Sequence, residues 1–129
     1  MNMRTFAQVL ADGIAANTTG YTDATRGPDL YVGGPIDISG LARYVRDAYT
    51  LTTAQHFEAA PVYAVAVDSD WDRDVIAKDE QGWFTVAFEE GKEQRFTETG
   101  RALLMPWKWA GEDQQLRAVD VPTPVENQS

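Results

Sequence analysis

The chain contains no cysteine. That absence alone removes disulfides, thiolate nucleophiles, iron–sulfur clusters and every cysteine-containing zinc site. Histidine is almost missing too. With His56 alone, no two-histidine metal site is available and any catalytic triad rests on a single imidazole. The three serines, Ser39, Ser69 and Ser129, lie outside any G-x-S-x-G elbow. No run approaches the ~18 apolar residues of a membrane span. Near the N-terminus, Gln8 and Asp12 interrupt what a secretory signal would need to be apolar. These absences predict a cytoplasmic chain with no cofactor and no membrane contact.

Positive charge is scarce: 11 Lys and Arg stand against 20 Asp and Glu, a net charge of −9. A phosphate backbone is repelled by such a chain, so direct nucleic-acid binding is not expected. The excess is uneven. Residues 1–60 hold 4 basic and 6 acidic groups, whereas residues 61–129 hold 7 and 14. Large aliphatic residues are also few. Leu, Ile, Val and Phe together number 27, while alanine supplies 17. That count lies just above the roughly one-fifth share below which a charged chain stays unfolded. Four Trp and five Tyr add core volume. The 129 residues make one domain's worth of chain. Residues 1–111 read as a single globular domain, and 112–129 as a polar tail, extended or disordered.

Residues 5–16 place Phe6, Val9, Leu10 and Ile14 on one helical stripe, with Thr5 and Gln8 spaced as a capping box. From Asn17 to Pro35, repeated Gly, Pro, Thr and Asp predict a long loop with a short strand at Leu30–Val32. Leu41, Tyr44, Val45 and Ala48 then define a second helix, which Asp37 or Ser39 can cap. A short third helix starts at Thr52 or Thr53 and stops before Pro61. Beyond Pro61 the period changes. Strands are expected at 62–67, at 75–79 and 83–88 around a Glu80-Gln81-Gly82 turn, up to Phe96, and from Ala102 to Met105. This order predicts an α+β fold, with two or three N-terminal helices packed on a C-terminal antiparallel β-meander of four to five strands.

Four features are candidates for function. Asp68, Asp70, Asp72 and Asp74 alternate in the way a calcium loop begins, because a hard cation needs several oxygens from one turn. Arg73 stands where that loop needs Gly, and Asp79 where it needs a bidentate Glu. The same carboxylates can instead hold Mg²⁺ or Mn²⁺, form a partner-binding patch, or simply solvate a strand connection. Trp107 and Trp109 flank Lys108 and share a face in an extended segment. Exposed, they form a binding hot spot; the lean core favours burial. The loop from Arg26 to Pro35 lets the backbone approach a ligand, with Arg26 to hold an anion and Tyr31 beside it, but its glycines lack phosphate-cradle spacing. A connector that returns Tyr31 to the core is the simpler reading. His56 has Glu58 two residues away, on a different helix face, so a surface or packing role is expected rather than general base catalysis.

Without convergent catalytic groups, the leading expectation is a non-enzymatic protein–protein interaction module. It would act as an inhibitor or adaptor engaging a partner's basic surface through Asp68, Asp70, Asp72, Asp74, Trp107 and Trp109. The alternative is a divalent-metal-dependent hydrolase using the four aspartates. A third reading is a small-molecule binder using Arg26 and Tyr31.

Overall fold

The helices fall where the apolar spacing places them: α1 at Phe6–Ala16, α2 at Ile38–Ala48 and α3 at Ala54–Ala59. In this computed structural model, residues 3–23, 29–68, 75–86, 95–96, 100–109 and 115–122 are described. In chain order the strands are β1 (Met3–Arg4), β2 (Tyr21–Asp23), β3 (Tyr31–Gly33), β4 (Thr50–Leu51), β5 (Val65–Asp68), β6 (Val75–Asp79), β7 (Gly82–Thr85), β8 (Arg95–Phe96), β9 (Ala102–Leu104), β10 (Trp107–Trp109), β11 (Leu116–Ala118) and β12 (Val121–Pro122). The fold is α+β. The chain divides into two compact units, Ala7–Ala48 and the combination of Met1–Phe6 with Tyr49–Ser129.

In the Ala7–Ala48 unit, α1 and α2 meet at Gly13. A methyl group there would lie 2.8 Å from Leu41 Cδ1 and 2.9 Å from Tyr44 Cδ1, so the stripe of α2 rests on bare α1 backbone. A glycine that weakens α1 as a helix is thus required by its packing. The Asp37 carboxylate accepts from Gly40 N–H at 3.1 Å and caps α2. Asn17 closes α1, its amide donating to Gly13 O at 2.8 Å. The expected long loop holds an antiparallel ribbon, β2 on β3, with Thr22 opposite Val32. Strand β2 escapes sequence reading because Tyr-Thr-Asp is too short for a period. A side chain at Gly20 would collide with Gly33 O, so this glycine marks a close backbone crossing.

The other unit is built on a six-stranded antiparallel sheet in the order β4-β9-β5-β6-β7-β8. Strands β5 to β8 form the expected meander, and β9 returns to lie between β4 and β5. One face is the core. Leu51, Ala66, Ile76, Trp83, Ala102 and Leu104 are buried, and so is Phe57 of α3. The Phe57 ring meets Trp83 edge-on at 5.7 Å. Alanines thus do core work that a count of Leu and Ile leaves out.

Lys78 ties α3 to the sheet. Its ammonium donates to the carbonyls of Phe57 (3.2 Å), Glu58 (2.6 Å) and Ala60 (2.6 Å), while Trp83 Nε1 donates to Phe57 O at 2.8 Å. These carbonyls are the orphan acceptors at a helix C-terminus, where a cation is favoured. Burial lowers the Lys78 pKa, and Glu58 opposes that shift. The expected strand at 62–67 begins only at Val65. Ala64 N–H closes a turn onto Pro61 O, and Tyr63 takes a φ of 72°. The Tyr63 main chain is held by Lys78 O and its hydroxyl by Glu80.

From 115 to 122 the chain is extended but integral to this unit. Strand β11 pairs with β10, β12 pairs with β1, and Val119 and Val121 are fully buried. The tail reading is corrected for residues 115–122: Arg117 and Asp120 break up their short apolar stretch, and the segments they pair with lie upstream in β1 and β10. Residues 123–129 are outside the described residues. Among the described residues no helix is long and apolar enough to cross a membrane.

Candidate functional site

Burial alternates strictly from Arg101 to Leu104 and keeps alternating through Trp109. Ala102 and Leu104 are buried, and Pro106 and Lys108 half-buried. Between them Leu103 (36 %), Met105 (42 %), Trp107 (49 %) and Trp109 (56 %) are increasingly exposed. Four large apolar side chains thus stand in solvent at alternate positions of one segment.

Both ends of this run gain apolar neighbours through strand pairing. At the β9 end, Leu103 pairs with Val67, Val67 with Val75, and Val86 N–H donates to Val75 O at 2.9 Å. Val75 and Val86 are exposed. At the β10 end, Trp107 is opposite Ala118 and Trp109 opposite the exposed Leu116. Directly opposed residues share a face, so Trp107, Trp109 and Leu116 form one apolar side of the ribbon. Lys108 and Arg117 are opposed to each other and take the other side.

Trp107 is exposed yet anchored. Its ring stands 6.0 Å from Phe6, and Phe6 stands 6.0 Å from the ring of Tyr49. Tyr49 is buried, and its hydroxyl donates to Val119 O at 3.1 Å. Burial, together with the Asp120 carboxylate, pushes the Tyr49 phenol up to about 12, against the opposing influence of Arg4. One side of Trp107 thus leans on an aromatic chain rooted in the core. The lean core favoured burial of both tryptophans; instead their exposures of 49 % and 56 % put them at the surface, because Tyr49, Leu104, Val119 and Val121 already fill the interior.

The chain matches no protein-family model, no curated protein and no solved structure. Function must therefore be argued from these residues themselves.

The remaining candidates are distributed differently. Asp68 ends β5 and is half-buried, while Asp70, Asp72 and Asp74 lie outside the described residues. Among the described residues no three His, Asp or Glu side chains converge as metal ligands do. Arg26 is likewise outside them. Tyr31 is exposed on β3 rather than returned to a core, on the same ribbon face as Tyr21 and Asp23. The Tyr21 hydroxyl donates to Asp23 Oδ2 at 2.9 Å, which raises the Tyr21 pKa. His56 sits in α3, where Thr53 Oγ1 accepts its N–H at 3.2 Å and its Nδ1 accepts from Thr52 N–H at 3.3 Å. The imidazole braces the first turn of a helix. An open groove of about 450 Å³ is lined by Met3, Gln55, Glu58 and Ala59, none of them from the Arg26–Pro35 loop.

Sequence reasoning found the two tryptophans and missed Leu103, Met105, Leu116, Val75 and Val86. Around 102–105 every residue is apolar, so alternation carries no polar marker of the wet face. Leu116 becomes part of the patch only through its pairing with Trp109.

Proposed function

We propose that this chain is a non-enzymatic protein-interaction module, an adaptor or inhibitor that engages a partner with a basic surface. The observation that supports it is the exposed run Leu103, Met105, Trp107 and Trp109. Large apolar side chains exposed at four alternate positions of one segment are a feature of interaction surfaces, and tryptophan is among the residues most enriched at binding hot spots. An anchored ring adds affinity because little side-chain freedom is left to lose on binding. The net charge of −9 supports a basic partner rather than nucleic acid, and Asp68, Asp70, Asp72 and Asp74 add charge that speeds association. A cytoplasmic setting belongs to the same proposal, supported by the absence of cysteine.

The test is capture of partners from extract by the intact chain and by two variants, Trp107→Ala with Trp109→Ala and Asp70→Asn with Asp72→Asn. The proposal expects a protein held at low salt, lost from the tryptophan variant and recovered more weakly by the aspartate variant. Equal recovery by all three chains would contradict it.

A further inference from the structure

We infer that the Trp107–Trp109–Leu116 face receives an extended cationic segment of its partner, with arginine side chains at alternate positions stacked on the two indoles. The inference rests on the interaction reading above and deepens it by naming what the partner offers. One spacing and two general properties of peptides and side chains carry it. Trp107 and Trp109 are two residues apart on one strand and share a face, which puts their Cα atoms about 6.7 Å apart. An extended peptide laid along β10 presents its own i and i+2 side chains at the same spacing. Indole faces attract cations, and the planar guanidinium stacks where the compact lysine ammonium does not.

Charge selects among possible occupants. The chain carries −9, so a cationic segment is drawn to it, whereas a second copy would bring an equal negative charge to the interface. Lys108 and Arg117 do not stand in the way, because the register places both on the opposite side of the ribbon. A single-stranded nucleic acid also stacks on aromatics, but it needs the cations and the rings on one face. Here they are on two.

The probes are synthetic nonapeptides of alternating Arg-Ser, of alternating Lys-Ser, and of Arg at every third position among serines. Each is titrated into the full chain at low salt, with indole fluorescence and calorimetry as readouts. The alternating Arg-Ser peptide should bind with a change in indole emission and weaken at least tenfold in Trp107→Ala and in Trp109→Ala. The Lys-Ser and every-third-Arg peptides should bind several-fold more weakly to the intact chain. Equal binding of the alternating peptide by both variants would overturn the inference while leaving the basic-partner reading standing, since charge alone would then be at work. No binding of any cationic peptide would overturn it as well, and the extract capture then judges the broader reading independently. Sedimentation of the free chain supplies one more arm. A dimer that Trp109→Ala dissolves would overturn the cationic occupant in favour of a second copy.

Discussion

The two units of this chain bury their apolar residues to very different depths. In the unit that includes the six-stranded sheet, Tyr49, Leu51, Leu104, Val119 and Val121 are essentially inaccessible, and alanines at 64, 66 and 102 fill the space between larger residues. In the Ala7–Ala48 unit the buried residues among those described are Val9 and Gly13, and α2 has none. Yet α2 shows the clearest amphipathic pattern in the sequence. Periodicity reports which face of a helix is apolar, not how much of that face is withdrawn from water. Depth comes from pairing between distant segments, which the sheet supplies and the helical pair supplies much less.

The comparison yields predictions that can break it. Leu104→Ala removes a fully buried side chain next to β5 and should cost about 2–5 kcal/mol in chemical denaturation. Leu41→Ala in half-buried α2 should cost less than half as much, and amides of α2 should exchange faster than those of β5 and β9. Equal costs would remove the distinction. Lys78→Met removes the ammonium from Glu58 O and Ala60 O, while Phe57 O keeps Trp83 Nε1, and should cost about 1–3 kcal/mol, measured as a lower denaturation midpoint. Thr53→Ala, at the other end of α3, should cost about 1 kcal/mol.

Alkaline pH sharpens the same contrast. The Tyr49 phenol is held protonated in the folded chain, up to about 12 against an ordinary 10.0. Its contribution is fully present below pH 10 and lost as pH rises towards 12, because the unfolded chain releases the proton first. Melting temperature followed from pH 8 to 12 should therefore fall more steeply in the parent chain than in Tyr49→Phe. Parallel curves would contradict the burial assigned to this hydroxyl. The smallest stability effect is expected at the exposed face: Trp109→Ala should shift stability by about 1 kcal/mol or less.

Much of the fold was legible because its signals are local. The three helices follow from stripes and caps at Thr53 and Asp37, and the β6–β7 hairpin from Gly82 after a polar pair. What escaped depends on partners far away in the chain. Strand β2 is a strand because β3 lies beside it, β9 inserts between β4 and β5, and β11 draws Leu116 against Trp109. The candidate site divides in the same way. Its tryptophans are conspicuous in any reading, but their exposure follows from which residues occupy the core first. A count of large aliphatic residues misjudged that by setting aside the alanines, of which Ala60, Ala64, Ala66 and Ala102 are buried.

Oxidative footprinting by hydroxyl radicals tests the proposed contact face most directly, since Met and Trp report their own accessibility. In the purified chain Met105, Trp107 and Trp109 should react readily and buried Trp83 slowly. In low-salt extract the first three should become several-fold protected while Trp83 stays unchanged. Equal reactivity with and without extract, or slow reaction of Trp107 and Trp109 in the purified chain, would contradict the account.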